Sequence, residues 1–153
     1  MKRSALGEQS GAVASRLQQI LIGLLDGAAQ VKQLHWTVKG PSFGPVHAKL
    51  DEIEALLRDS ADGVAERMTA LGVAPDGRTA TVSKGTPLKA VPGDFVLDSK
   101  VVSLTSDLLL ALSGQLRSAI QDLGEPDPVS QDLVIGITAD VEKQLWMMQA
   151  QEG

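Results

Sequence analysis

Between Pro45 and Leu71, apolar residues recur at Val46, Leu50, Ile53, Leu57, Ala61, Val64, Met68 and Leu71. That alternation of threes and fours is one stripe of an α-helix, because about 3.6 residues make a turn. The same period runs from Gly11 to Val38 through Leu17, Leu21, Leu24, Ala28, Val31 and His35, until Gly40 and Pro41 stop it. A third helix is expected from Asp98 to Leu123, with Val101, Leu104, Leu108, Leu112, Leu116, Ala119 and Leu123 inward. Leu109 and Leu110 widen its apolar arc and predict burial on a second side. The fourth has Asp127 as N-cap and Pro128 at the first helical position, where a missing N–H costs nothing. Its stripe is Leu133, Ile137, Val141, Leu145 and Met148, and it runs to the end of the chain.

Residues 72–97 carry four glycines and three prolines, with a short helical turn expected around Ala80 to Lys84. A connection of that length can cross a whole bundle, which predicts the second and third helices as parallel neighbours. The chain therefore reads as all-α and as one domain over residues 1–153, with residues 1–10 a short N-terminal arm. Its architecture is that of a ferritin-like four-helix bundle with a long crossover between helices two and three.

Composition narrows this further. The 153 residues are 43% hydrophobic, enough for one core, and only 3% aromatic with no Tyr, so that core must be aliphatic. There is no Cys, which excludes disulfides, thiolate catalysis and Zn–Cys sites, and leaves histidine and carboxylates for any metal chemistry. The apolar run Ile20 to Leu25 is short and flanked by Gln19 and Asp26, unlike a signal sequence or a membrane span. A soluble cytoplasmic protein is expected. The net charge of −5 gives the whole chain no electrostatic reason to bind a polyanion, whereas a carboxylate-rich surface attracts cations.

His47, Asp51, Asp62 and Glu66 follow a different phase from the second helix's core stripe. At about 100° per residue they cluster within roughly 100° of arc and face away from the core. His47 with Asp51, and Asp62 with Glu66, are i,i+4 pairs able to share a cation. The two pairs lie about 16 Å apart along the helix, so one ion cannot join them within a chain. A two-fold axis near Leu56 would join them, pairing the His47/Asp51 end of one copy with the Asp62/Glu66 end of the other. On spacing alone a solvated polar face is the simpler account. Against it, Asp62 and Glu66 repel unless a cation intervenes, a role Arg58 can partly fill, and both histidines of the chain fall in this region. The Glu-x-x-His motif of the usual di-iron bundle is absent, since neither histidine has a glutamate three residues before it.

The run His35-Trp36-Thr37-Val38-Lys39-Gly40-Pro41-Ser42-Phe43, followed by His47, Asp51, Asp62 and Glu66, resembles the Dps family, the mini-ferritins named as DNA-binding proteins from starved cells. Ala65-Glu66-Arg67, Leu71-Gly72, Thr86-Pro87-Leu88 and the stretch Lys143 to Trp146 extend the resemblance over nearly the whole chain.

The resemblance implies a hollow shell of twelve subunits with ferroxidase sites at two-fold interfaces. His35, His47 and Asp51 of one subunit would act there with Asp62 and Glu66 of the partner subunit. It further implies Fe(II) as substrate, hydrogen peroxide as the preferred oxidant and ferric oxide stored inside, with zinc as a substitute occupant. Trp36 would lie beside the site and intercept oxidising equivalents, or else pack as an interface aromatic. Periodicity alone makes His35 a core histidine, and the resemblance makes it a ligand. Of the acidic residues Asp122, Glu125, Asp127 and Asp132 around the turn into the fourth helix, the resemblance implies that some line a three-fold iron-entry pore, with Asp127 or Asp132 favoured; Asp127 also reads as a helix cap. A nucleoid-associated location would follow from DNA binding. The arm offers only Lys2 and Arg3, and the chain stops at Gln151-Glu152-Gly153, so direct DNA binding at physiological salt is not expected. A DNA-condensing architectural protein is the alternative, and a non-catalytic helical interaction bundle ranks third.

Overall fold

A computed structural model describes residues 4–152. Lys2 and Arg3 of the expected arm lie outside the described residues; Leu6 already packs against the core, and Gly7–Gln9 form a single 3-10 turn. Five α-helices follow: α1 (Ser10–Thr37), α2 (Phe43–Ala70), the short α3 (Thr79–Gly85), α4 (Asp98–Leu123) and α5 (Pro128–Gln149). The two-residue strands β1 (Val38–Lys39) and β2 (Val96–Leu97) pair in parallel, Val38 opposite Val96 and Lys39 opposite Leu97.

The helix ends have local causes. Asp127 caps α5 by accepting from the Val129 N–H at 3.2 Å, with Pro128 beginning the helix. At the end of α2, Gly72 takes φ +82°, which lets Val73 N–H reach back to the Met68 carbonyl and Gly72 N–H to that of Thr69, both at 3.0 Å. The second helix starts at Phe43, two residues before Pro45, which therefore sits within the first turn.

Leu17, Leu24, Leu50, Leu57, Leu109 and Leu116 are among the fully buried side chains that make the core aliphatic. Two expectations need correcting. Leu108 and Leu109 are buried but Leu110 is 56% exposed, so the widened arc of α4 does not bury a second side within the chain. On α5 the core position is taken by Val134, and Leu133 is only partly buried at the edge.

The bundle runs up, down, down, up. α1 packs antiparallel on α2, as the His35–His47 and Gln18–Asp76 hydrogen bonds show, and antiparallel on α4, where Gly23 and Gly27 admit Gln115 and Leu112. α2 and α4 do run parallel, but they face each other across the diagonal. Beyond the pairs joined in sequence, the direct neighbours are the antiparallel pairs α1/α4 and α2/α5, which the long crossover permits because it runs along α1 from one end of the bundle to the other, as the Asp76–Gln18, Thr86–Asp26 and Val91–Gln30 hydrogen bonds show.

The crossover also fixes the turn between α1 and α2. Asp98, buried at the start of α4, accepts from Ser42 N–H at 2.5 Å and Ser99 N–H at 2.8 Å. A Cβ on Gly40 would lie 2.6 Å from the Asp98 carboxylate, and Gly40 holds φ +133°, so glycine is required twice over. The adjoining ends of α1 and α2, which carry His35 and His47, are thereby tied to the start of α4.

Candidate metal centre

His35 comes from the last turn of α1 and His47 from the second turn of α2, and the antiparallel packing sets them level. Their rings stack with centroids 3.7 Å apart and planes 20° apart. Each Nδ1 lies 2.8 Å from the other residue's backbone carbonyl. A carbonyl oxygen only accepts, so each Nδ1 carries the proton and donates it. That leaves each Nε2 with a free lone pair, the arrangement of a histidine prepared to ligate a metal.

The two phases that set His35 inward and the α2 set outward meet at the seam between α1 and α2. His35 is buried, His47 half-buried and Asp51 54% exposed in its side chain. His35 Nε2 and Asp51 Oδ1 are 3.7 Å apart. Two atoms each about 2.1 Å from one ion can be up to about 4 Å apart, so this pair fits a shared ion. Phe43, in the first turn of α2, stacks on the other side of His47 at 4.9 Å.

Asp51 also meets a residue that sequence reasoning did not single out. Lys32 Nζ is 2.5 Å from Asp51 Oδ1. That hydrogen bond, aided by the Lys32 charge, holds the Asp51 carboxyl below its ordinary pKa despite some desolvation. Lys32 lies one turn before His35 on α1, and that spacing was the available signal.

Asp62 and Glu66 are exposed about one and two helical turns beyond Arg58, toward the far end of the same helix. Arg58 does not neutralise them, because its guanidinium pairs with Glu54 at 2.5 Å. The fold thus brings His35, His47 and Asp51 together and leaves Asp62 and Glu66 apart. Among the described residues, no three His, Asp or Glu side chains are grouped closely enough to close a metal site alone. Trp36 is 65% exposed beside His35.

The acidic residues near α5 divide into different roles. Asp127 is 2% exposed and is bound by Arg67 at 2.8 Å and by the Ser130 hydroxyl. Asp122 is paired with Arg16, whereas Glu125 and Asp132 are exposed. Asp127 thus serves as cap and ion-pair partner inside the chain, and the sequence could not show that Arg67 reaches it. No helix among the described residues is long and apolar enough to cross a membrane.

Residues 14–152 match the ferritin-like domain family. The chain is 33% identical over 135 residues to a DNA protection during starvation protein of Agrobacterium fabrum, covering 88% of this chain and 83% of that protein. It is 34% identical to the fine tangled pili major subunit of Haemophilus ducreyi, over 90% of this chain and 73% of that one. Among solved structures, Dps from Microbacterium arborescens in the high iron form superposes with a TM-score of 0.92 at 33% identity, over 97% of each chain. Relatives with such different names show that the fold alone does not assign an activity, so the site has to carry the argument.

Proposed function

The chain belongs to the Dps family of ferritin-like proteins, and from that premise we propose that it is a ferroxidase and iron-storage protein. In this reading it oxidises Fe(II) at sites shared between subunits, and a cytoplasmic shell of twelve copies holds the ferric product. The observation that carries the proposal is the reciprocal bonding of His35 and His47, which aims two free Nε2 lone pairs beside the ionised Asp51.

Iron is the substrate. Imidazole nitrogen retains Fe(II), and hard carboxylate oxygen favours the Fe(III) that forms. One chain offers two imidazoles and one carboxylate; the partner subunit's Asp62 and Glu66 complete the set under the two-fold pairing. Two Fe(II) give one electron each to hydrogen peroxide, its O–O bond breaks, two protons are taken up and two waters leave. Delivering both electrons together avoids release of a hydroxyl radical, which supports peroxide as the preferred oxidant and protection from oxidative stress as the role. Hydrolysis of the Fe(III) to oxyhydroxide then releases protons. Zinc, which accepts the same donors, would occupy the site without turnover. Trp36, beside His35, is placed to intercept stray oxidising equivalents. The exposed Asp132, not the internally paired Asp127, is the better candidate for lining an iron-entry pore. The net charge of −5 argues against DNA condensation as the main activity.

The test is stopped-flow oxidation of anaerobically loaded Fe(II) by peroxide. Asp62→Ala with Glu66→Ala is expected to slow it by about tenfold or more. An unchanged rate in a correctly assembled double variant would discard the ferroxidase reading in favour of a non-catalytic bundle.

A further inference from the structure

Met147 and Met148 stand side by side near the end of α5, yet their sulfurs meet different surroundings. Met148 is fully buried, as is Met68, which shields both thioethers from solutes. Met147 is only half-buried, and its sulfur lies at the seam between α2 and α5, where Lys49 Nζ donates to Sδ at 3.4 Å. A lysine ordinarily keeps its ammonium in water. This side chain is only 14% exposed, and Glu52 Oε2, three residues on along α2, holds the ammonium at 2.8 Å. The ion pair keeps a proton donor beside the one half-exposed thioether among the described residues.

The seam is separate from the candidate metal centre. Lys49 is two residues from His47 and two from Asp51, which puts it about 160° round the helix from each. Those residues turn to α1, bonding the His35 carbonyl and Lys32, whereas Lys49 turns to α5. A two-fold contact through the α1/α2 face therefore leaves Met147 outside it.

We propose that Met147 is a site of oxygen-atom transfer from hydrogen peroxide, with Lys49 as its proton donor. A sulfur lone pair attacks one peroxide oxygen, the S–O bond forms and the O–O bond breaks. The departing oxygen takes a proton from the Lys49 ammonium and leaves as water. The hydroxyl now on sulfur returns its proton to the lysine amine, so the products are methionine sulfoxide and one water. Sulfur gives up two electrons and peroxide gains them. An ammonium is a far stronger acid than water, so it assists a step in which the leaving group is otherwise hydroxide. Each chain thereby removes one peroxide without iron, and enzymes of the class that reduces methionine sulfoxide restore the thioether.

The experiment treats the full-length protein, freed of metal with a chelator, with hydrogen peroxide in the presence of N-acetylmethionine amide, and follows each methionine by peptide mass spectrometry. An unassisted half-buried sulfur reacts more slowly than a free one, because its approach is restricted. Met147 is expected to react at least as fast as the free compound, and Met68 and Met148 at least tenfold more slowly than Met147. Lys49→Leu separates proton donation from mere cover. If Lys49 only shields the sulfur, its removal speeds oxidation; as proton donor, its loss slows Met147 several-fold while the free compound is unchanged. Oxidation of Met147 slower than that of the free compound in the wild type would overturn the proposal, as would an unchanged or faster rate in a folded Lys49→Leu variant. The wild-type comparison decides the matter even if the variant does not fold. No iron takes part, so this result and the outcome of the ferroxidase test are independent.

Discussion

Lys32 Nζ lies 2.5 Å from Asp51 Oδ1, so the carboxylate at the histidine end of the site is already held by a cation of its own chain. An incoming metal ion must displace or share that ammonium. Replacing Lys32 with Met keeps much of the aliphatic stem and removes the competitor. Affinity for Zn(II) or Co(II), titrated calorimetrically as redox-inert stand-ins for Fe(II), is expected to rise, by less than about tenfold because the pair is solvent-exposed. Weaker binding would mean that Lys32 orients Asp51 for the metal instead of competing for it.

The bonds from Nδ1 of each histidine to the other's carbonyl make a second prediction. Asparagine can keep a donor near the Nδ1 position but has no nitrogen lone pair to replace Nε2. His47→Asn should therefore preserve most of the helix seam while lowering the initial rate of Fe(II) oxidation by about tenfold or more. Far-ultraviolet circular dichroism separates the two effects: helicity should be nearly unchanged while turnover falls.

Gly40 tests how the site is held in place. Alanine there would strain a φ of +133° and press its Cβ against the Asp98 carboxylate. Gly40→Ala is expected to cost about 2 kcal/mol in urea unfolding, with a loss of ferroxidase activity beyond that expected from the unfolded fraction. Asp98→Ala on top should relieve the contact but leave the Ser42 N–H without its acceptor, so recovery should be partial.

Asp127 predicts a pH dependence. Burial favours its neutral form, but hydrogen bonds from Arg67 and Ser130 outweigh that and hold its pKa below the ordinary value. A carboxylate whose folded pKa is depressed contributes stability that is fully present above its unfolded value, about 3.9, and is lost as pH falls through the folded value. Asp127→Asn can still cap α5 but leaves Arg67 without its charge partner. It is expected to lose about 2 kcal/mol at pH 7, and its acid-unfolding curve should fall less steeply than the wild type's below about pH 4.

These four sites differ in how far the chain alone reveals them. α4 is bounded at Asp98 and Leu123 as its periodicity predicts, and Asp127 caps α5, because propensity, patterning and capping act locally. The choice of Val134 over Leu133 for the core, and the exposure of Leu110, depend on which neighbour each helix faces, which periodicity does not report. Asp98 to Ser42 and Arg67 to Asp127 join residues far apart in the chain, so no local spacing could show them. His35 falls on the core stripe, and only the antiparallel seam reveals that a core position can also be stacked on His47 and near Asp51.

The separation of Asp51 from Asp62 allows the shared site to be tested by mixing subunits. Take one variant with His35→Ala and His47→Ala, and a second with Asp62→Ala and Glu66→Ala. Either homodimer has two dead sites. In a mixed pair, the site that joins the first variant's histidine-deficient end to the second's acid-deficient end is doubly defective, whereas the other site has every ligand intact. If equal amounts pair at random, half of the pairs are mixed and each has one live site of two. Coexpression should then restore about a quarter of wild-type peroxide-driven Fe(II) oxidation from two inactive parents. A site closed within one chain predicts no recovery, because neither parent supplies all five residues. Recovery near a quarter, against a baseline near zero, ties the activity to the meeting of the histidine end of one α2 with the acidic end of another.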